Sequence, residues 1–175
     1  MRCEYCSKEM EIIQEKNYKY EESGLSNVYL ERVELYYCQD CQTKLPRIEK
    51  VLGLHKAIAR AIVLQPVPLN GADIRFLRSE RGLKGKELAK LLREDVATVS
   101  RWETDSQELR PQSDALIRTT YTLVYQEQEE KIFPEAVTER FASVKGERDT
   151  DFCININQNK AIPYSYKNVL DVVYG

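Results

Sequence analysis

Cys3-Glu4-Tyr5-Cys6 and Cys38-Gln39-Asp40-Cys41 are two matched C-x-x-C pairs, and they decide how the first part of the chain folds. Within each pair, the spacing lets both sulfurs reach one tetrahedral ion, and the 31 residues between the pairs suit a short sheet that brings the pairs together. Four thiolates leave no coordination position open, so the pattern predicts a structural zinc site with one zinc per chain. A segment this small buries little core. We therefore expect the metal to supply folding free energy, and loss of one ligand to unfold residues 1–45.

Other uses of these cysteines fit the sequence less well. Two disulfides require an oxidising compartment, whereas the chain opens Met1-Arg2-Cys3 without an apolar signal segment, which indicates reduced thiols in the cytoplasm. A thioredoxin-type site uses one C-x-x-C at a strand-to-helix turn. Iron in a rubredoxin-like site stays open, because four thiolates also bind iron. Cys153 is distant from both pairs in sequence, and we expect it to be a small buried residue.

The composition is typical of a soluble globular protein. Of 175 residues, 31% are charged and 42% are hydrophobic, which fits one large domain or two small ones. The longest apolar run, residues 57–64, is too short to span a membrane and contains Arg60, so we expect no membrane association. The net charge of −2 gives no general attraction to nucleic acid, so DNA binding would require a local basic surface.

A proline-containing stretch, Gln65-Pro66-Val67-Pro68, divides the chain. Before it, β-branched and aromatic runs on either side of a turn-prone segment predict two or three antiparallel strands, and apolar residues at helical spacing predict a helix over residues 48–64. Neither proline donates an amide, and each disfavours helix before it, so we place a domain boundary there. The expected fold class is α+β. Residues 1–64 form a small β zinc ribbon with its following helix, residues 69–128 form an all-α domain with a separate core, and residues 129–175 form an α/β extension of unknown role.

The all-α region carries a pattern of two short helices joined by a tight turn. Helices are predicted over residues 72–81, 84–92, 96–103 and 113–128, with Gly82 closing the first and Asp95 capping the third. Ala89 is small enough for a close helix crossing, and Val99 and Trp102 fill the angle between the two short helices. The outer face of the second helix is then free to enter a DNA major groove.

Particular side chains on these two helices are candidates for contacts with DNA. Arg101 is placed for the bidentate contact to guanine that is the commonest base-specific pairing. Lys84 and Lys86 begin the preceding helix, where the helix dipole favours phosphate. The full candidate set is Lys84, Lys86, Val96, Ala97, Thr98, Ser100 and Arg101.

Three segments are similar to the Xre/Cro-type helix-turn-helix: Ile74-Arg75-x-Leu77-Arg78-x-x-x-Gly82-Leu83, Glu87-Leu88-Ala89-x-Leu91-Leu92 and Thr98-Val99-Ser100-Arg101-Trp102-Glu103. Together with the amino-terminal C-x-x-C pairs, they make residues 1–125 resemble the MqsA (YgiT-type) antitoxin family. The resemblance implies that the amino-terminal domain binds zinc and a partner toxin, which is an mRNA-cleaving ribonuclease. It also implies that the helix-turn-helix domain forms a homodimer and represses the toxin–antitoxin operon.

The chain departs from the family pattern at three positions. Arg93 stands where the turn usually has glycine, and a left-handed backbone there costs arginine about 1 kcal/mol relative to glycine. Ala97 stands where the family often offers Asn, Gln or Ser to a base, and alanine can contact only a thymine methyl group. Gly85 replaces a glutamine that commonly contacts a phosphate. These differences alter the expected operator sequence.

We therefore expect a sequence-specific repressor that binds a double-stranded DNA operator, acting as the antitoxin of a type II toxin–antitoxin system that neutralises the toxin and autoregulates its operon. Operators with two half-sites favour a dimer, and the helix over residues 113–128 is the expected pairing surface through Leu116, Thr120 and Leu123. One alternative is a stand-alone Xre-family regulator whose tail senses a ligand or partner. A second is a rubredoxin-like electron carrier. No enzyme is expected, because the single histidine, His55, has no matching catalytic set around it.

The carboxy-terminal region is predicted to be ordered. Residues 134–143 have a helical pattern. Residues 151–157 alternate apolar and polar side chains, which predicts a strand with one buried face. Residues 161–167 are expected to pair with that strand, with Pro163 confining them to a sheet edge. Because an isolated hairpin is marginal in water, the pair must pack on another part of the molecule.

Overall fold

A computed structural model describes residues 1–126 and 153–157 of the chain. The structure is mixed α+β, with a small sheet near the amino terminus followed by five helices, in agreement with the expected class. None of the described helices combines the length and apolar character needed to cross a bilayer. The elements in chain order are β1 (Glu11–Lys19), a short 3-10 helix (Glu21–Ser23), β2 (Val28–Tyr37), β3 (Lys44–Pro46), α1 (Val51–Leu64), α2 (Gly71–Glu80), α3 (Gly85–Leu92), α4 (Val96–Glu103), α5 (Pro111–Gln126) and β4 (Ile154–Asn157).

Strand β2 is the centre of the sheet. It pairs with β1 along most of its length in antiparallel register, with Ile12 opposite Tyr36. On its other edge, β3 pairs antiparallel with the last residues of β2, and β4 pairs parallel with the first. Cys38, a candidate metal ligand, directly follows β2. The strand therefore runs from the edge where β4 pairs to the turn that carries Cys38 and Cys41.

A local distortion keeps the apolar side chains of β2 on one face. Val28 and Leu30 are buried near its start, and Val33 and Leu35 are buried near its end. Since side chains alternate along a regular strand, these two pairs would face opposite sides. Arg32, between them, has a left-handed backbone with φ of 54°, and this irregularity turns both pairs toward the core.

Helix α1 packs between the sheet and the later helices. Its buried side chains belong to one continuous apolar cluster that includes Val28 and Leu30 of the sheet as well as Ile74 and Trp102 of the helical region. Our expectation of two separate cores is therefore wrong for the described residues. The physical reason is that α1 buries side chains around most of its circumference. These are Leu54, Ile58, Ala59, Arg60, Ala61, Ile62, Val63 and Leu64.

Helix α1 ends at Leu64, as the prolines predict, but the stretch that follows is held firmly to α5. Arg118 of α5 is fully buried and donates to the carbonyl oxygen of Gln65 at 2.9 Å and to that of Val67 at 2.7 Å. Asp114 of α5 accepts from the amide of Leu69 at 2.7 Å. Residues 65–68, where a domain boundary was predicted, are thus held by hydrogen bonds to α5 and connect two helices that pack on each other.

The predicted helices of the second half are found close to their expected limits. Residues 72–81, 84–92 and 96–103 correspond to α2, α3 and α4, each within one residue at either end. Gly82 follows α2 with φ of 66°, the left-handed conformation that closes helices. Helix α5 begins at Pro111, two residues earlier than predicted.

The predicted strand near the carboxy terminus is confirmed at residues 154–157, where Ile154 and Ile156 are buried. Its place in the molecule is new, because it pairs in parallel with β2 in the amino-terminal sheet. The predicted helix over residues 134–143 and the predicted partner strand over residues 161–167 lie outside the described residues.

Candidate metal centre and candidate nucleic-acid interface

Both C-x-x-C pairs lie on the same kind of turn. In each, the backbone amide of the first cysteine donates to the carbonyl five residues later, at 2.8 Å in the first turn and 3.0 Å in the second. The residue directly after each second cysteine has a left-handed backbone, with φ of 60° at Ser7 and 59° at Gln42. The chain thus presents two equivalent sulfur pairs to one point, and β1 and β2 bring the two turns together.

The four sulfurs have the spacing of a tetrahedral metal site. All four Sγ atoms of Cys3, Cys6, Cys38 and Cys41 lie within 4.8 Å of one another. The Sγ–Sγ distance is 3.4 Å from Cys3 to Cys41, 3.3 Å from Cys6 to Cys38 and 3.7 Å from Cys6 to Cys41. Zinc–sulfur bonds of 2.3 Å would place tetrahedral sulfurs about 3.8 Å apart, whereas a disulfide requires about 2.0 Å. The four cysteines are therefore free thiols positioned to hold a metal ion, in an arrangement compatible with zinc.

The four cysteines pack around a small apolar cluster of their own, and they differ in how exposed they are to solvent. Cys3 and Cys38 are buried with Met10, whereas Cys41 is exposed. A hydrogen bond from the Thr43 hydroxyl, 3.1 Å from Sγ, and one from the Thr43 amide lower the pKa of Cys41 to about 6. At Cys6, a backbone hydrogen bond from Lys8 lowers the pKa, but the hydrogen bond with the Cys38 thiol and desolvation outweigh it and raise the pKa to about 12. Without a metal, these two shifts favour a thiolate at Cys41 and a thiol at Cys6, and a bound cation would displace the proton from Cys6.

The fifth cysteine and the single histidine lie outside this cluster. Cys153 is half-buried immediately before β4. His55 on α1 has its Nε2 3.1 Å from the hydroxyl of Tyr20, and its ring lies edge-on to Phe76 with centroids 5.6 Å apart. Burial lowers the pKa of His55. Its surroundings are those of a packed neutral histidine that joins the sheet to α2.

Helices α3 and α4 are joined by a tight turn of the predicted kind. Arg93 ends α3 in the left-handed conformation, φ 55° and ψ 39°, and the amide of Glu94 donates to the carbonyl of Ala89 at 2.9 Å. Ala89 is buried, as the close crossing requires. Asp95 has the extended backbone of an N-cap, but its side chain makes no capping hydrogen bond.

Helix α4 has one buried and one exposed face. Val99 and Trp102 are 1% and 3% exposed and pack inward, as predicted. Of the candidate DNA-binding residues, Thr98 is half-buried and is thus less accessible than expected. The others are exposed, namely Lys84, Lys86, Val96, Ala97, Ser100 and Arg101. Positions 97, 100 and 101 recur at helical spacing on a single face, so they can approach one ligand together.

The carboxy end of α4 is fixed against α2 by contacts that sequence reasoning did not assign. Arg78 pairs with Glu103 through two hydrogen bonds, from Nε at 2.5 Å and from Nη2 at 3.1 Å. Arg75 donates to the carbonyl oxygen of Glu103 at 2.6 Å. A Cβ at Gly71 would lie 2.6 Å from the carbonyl oxygens of Trp102 and Glu103, so only glycine fits where α2 begins. These contacts set the direction of α4 and thereby the direction of its exposed face.

The surface around α3 and α4 is more basic than the chain as a whole. Residues 84–101 contain five basic and three acidic side chains, against a net charge of −2 for the protein. All eight of these charged side chains are exposed. The basic residues are Lys84, Lys86, Lys90, Arg93 and Arg101, and the acidic residues are Glu87, Glu94 and Asp95. These exposed side chains carry a net charge of +2, and Glu103 at the end of α4 is paired with Arg78.

Comparison with known proteins identifies no relative: no protein-family model, no curated protein and no solved structure matches the chain.

Proposed function

We propose that the four cysteines hold one structural zinc ion per chain, so that the two turns and β1–β3 form a zinc ribbon. The observation that supports this is the near-tetrahedral spacing of four free thiols on two equivalent turns. Metal analysis of protein purified under reducing conditions is expected to give one zinc per chain. Well under one metal per chain in a folded protein would contradict the proposal. A coloured protein with a reversible redox wave would identify iron instead.

Replacing Cys38 with serine tests the structural role of the metal. The cysteine cluster packs with Met10, Tyr36 and Leu45 apart from the main core, whereas the buried side chains of β2 belong to the same apolar cluster as α1. Loss of a ligand should therefore disorder the two cysteine turns while the rest of the sheet remains. This replaces our expectation that all of residues 1–45 would unfold. Amide hydrogen exchange with and without zinc measures the extent, and Cys153→Ser, outside the cluster, is the matched control.

We further propose that α3 and α4 form an Xre-type helix-turn-helix that binds operator DNA, and that the protein is a transcriptional repressor. The exposed face of α4, fixed by the Arg78–Glu103 pair and flanked by Lys84 and Lys86, carries this proposal. Arg101 reads a base in the major groove, and Lys86 neutralises a phosphate.

Binding measurements on specific and random duplexes distinguish these two roles. Arg101→Ala should weaken binding to the operator by about 1–3 kcal/mol and relax preference at one position in each half-site. Lys86→Ala should weaken all duplexes alike and lower the salt-dependence slope by about one unit. Lys19→Ala, on β1, is the control. Equal losses on both duplexes for Arg101→Ala would show that another residue occupies the groove.

A homodimer formed through α5 completes this proposal. Leu116 and Leu123 are 44% and 57% exposed and lie at helical spacing with half-buried Thr120, so they form an apolar stripe of the kind that pairs with a second copy. Leu123→Asp is expected to yield a monomer in sedimentation experiments and to weaken operator binding. A dimer unchanged by this substitution would place the interface elsewhere.

We propose, finally, that the repressor is an antitoxin of the MqsA (YgiT-type) family and that its zinc-bearing region binds an mRNA-cleaving toxin in the cytoplasm. The combination of four cysteines with the α3–α4 unit supports this reading over the stand-alone regulator. A small ribonuclease-like reading frame beside the gene, whose toxicity this protein neutralises on co-expression, is the expected result. Absence of such a frame would favour the stand-alone regulator, with its tail as the sensing region.

A further inference from the structure

Helix α4 ends in a tight turn built around Asp105. The helix stops at Glu103, and Asp105 has a left-handed backbone with φ of 52°. The amide of Asp105 donates to the carbonyl of Trp102 at 3.1 Å, and the amide of Ser106 donates to that of Arg101 at 2.9 Å. This hydrogen-bond pattern closes a helix around one left-handed residue, which is usually glycine because glycine has no Cβ. An aspartate retained at such a position points to a role for its side chain outside the turn.

The side chain of Asp105 has its partner on another helix. Its Oδ1 accepts from the amide of Gly71, the first residue of α2, at 2.7 Å. The first amides of a helix have no acceptor within the helix, and the N-cap side chain of Asn70 already accepts from the amide of Asp73. Because Gly71 is buried, its amide would be costly to leave unpaired. The carboxylate of Asp105 therefore caps α2 and at the same time joins the carboxy end of α4 to the start of α2.

This junction lies next to the residue that is proposed to read a base. Arg101 is in the last turn of α4, and its carbonyl oxygen is held by the same turn that contains Asp105. A contact to a base edge requires a side chain to be held within about 0.5 Å of its productive position, whereas a lysine on its flexible stem can follow a phosphate. A change in the direction of this last turn should therefore disturb base contacts of Arg101 far more than phosphate contacts of Lys84 and Lys86.

We propose that Asp105 is a positioning residue for sequence recognition. The hydrogen bond from Gly71 fixes the end of α4 on α2 and so holds Arg101 at the angle at which its guanidinium group meets a base edge. Asp105 itself contacts no base in this role, and the phosphate contacts from α3 do not depend on it. The inference rests on the proposed DNA binding and adds to it a determinant of specificity outside the candidate residues on α3 and α4.

Asp105→Gly in the full chain removes the carboxylate but keeps the residue best suited to the turn. Binding is measured at one salt concentration on a duplex that the wild type selects from a random library and on a scrambled duplex of the same composition. The preference for the selected duplex should fall about five-fold, the order expected for the loss of one hydrogen bond. Binding to the scrambled duplex should be unchanged or stronger, because a negative charge is lost. Asp105→Asn keeps an acceptor oxygen and tolerates the left-handed backbone, so it should retain most of the preference. Glu108→Gly, exposed and three residues further on, makes the same change of charge and should leave the preference unaltered.

Stability and hydrogen exchange separate positioning from a general contribution to the fold. The urea midpoint of Asp105→Gly should stay close to that of the wild type, because relief of the left-handed backbone offsets the lost hydrogen bond, while the Gly71 amide should exchange faster. A preference that falls less than two-fold, or equally in Glu108→Gly, would overturn the positioning role, as would unchanged exchange at Gly71. An Asp105→Gly protein that unfolds would also overturn it, because the carboxylate would then support the whole fold. A wild type that selects no duplex would refute the proposed repressor itself, a result distinct from a preference that survives Asp105→Gly.

Discussion

Arg118 is the residue whose replacement should cost the most stability in the described part of the chain. It is fully buried on α5, and its Nε donates to Asp114 at 2.5 Å. Its two terminal nitrogens hold the end of α1 and the stretch after it. The four acceptors are the carbonyl oxygens of Ile62, Val63, Gln65 and Val67, at 3.3, 2.9, 2.9 and 2.7 Å.

The magnitude follows from what Arg118→Met would leave behind. Methionine replaces the aliphatic stem but supplies no donor, so four carbonyls and the Asp114 carboxylate, only 8% exposed, lose their cationic partner. Breaking a buried ion pair by removing one member costs about 3–5 kcal/mol, because an uncompensated charge remains. Asp114 retains the amide of Leu69 as a donor, which limits the loss. We expect the free energy of unfolding to fall by about 3–5 kcal/mol, a large part of the 5–15 kcal/mol typical of a whole protein.

Urea unfolding followed by circular dichroism, with zinc present, measures this loss as a lower midpoint at unchanged slope. Arg110→Met, just before α5 and exposed, is the matched control and should change the free energy of unfolding by at most about 0.5 kcal/mol. Adding Asp114→Asn to Arg118→Met removes the stranded charge while keeping an acceptor for Leu69, so the double variant should be more stable than Arg118→Met alone. A loss below about 1 kcal/mol for Arg118→Met would refute the reasoning, because it would mean that water or repacking satisfies these groups.

Three further substitutions test local features. Arg93→Gly should raise the free energy of unfolding by about 1 kcal/mol in the same urea assay, since it relieves a left-handed backbone at φ 55°; a loss would contradict this. Gly71→Ala should be destabilising and should weaken DNA binding, because its Cβ would collide with the carbonyls of Trp102 and Glu103, whereas Gly85→Ala, with open space around it, should not. His55 has a folded-state pKa below the ordinary 6.5, so its neutral form stabilises the fold fully above pH 6.5, and this contribution declines as the pH falls toward the lowered pKa. His55→Gln should therefore lose less stability than the wild type between pH 7.5 and 5.5, and parallel curves would exclude a role for this titration.

Sequence spacing was sufficient for features that depend on local chemistry. The two C-x-x-C pairs predicted a four-sulfur cluster because ligand spacing is set by the ion, and the structure brings these sulfurs within 4.8 Å. The inward positions of Val99 and Trp102 followed from helical periodicity, and the left-handed Arg93 followed from the resemblance, because the family usually has glycine at that position. In each case the information lies in short motifs along the chain, and the two cysteine motifs are brought together by the ion they are proposed to share.

Contacts between distant segments were not predictable in the same way. Asp114 and Arg118 stand four apart on a helix, a spacing that indicates a surface ion pair as readily as a buried one. Their actual role depends on the carbonyls at the end of α1, more than fifty residues away in sequence. The strand at residues 154–157 was likewise visible as an alternation, but alternation does not identify the partner strand. The prolines at positions 66 and 68 were also misleading as a sign of a second domain with its own core. Prolines end a helix whether or not the chain then enters a new domain.

The two ends of strand β2 are held in place by different parts of the molecule. Its last residue precedes Cys38, so the order of that end depends on the cysteine cluster and on any metal it holds. Its first residues pair with β4 and pack on α1, so the order of that end depends on the tail and on the main core. The irregular Arg32 lies between the two halves. Val33 and Leu35 share the main core with Val28 and Leu30, and near the end of β2 only Tyr36 packs against the cysteine cluster. Loss of metal should therefore loosen only the last residues of β2, whereas an Ile156→Asp substitution in β4 should loosen the first. Hydrogen exchange of β2 amides can therefore resolve the two events within one strand.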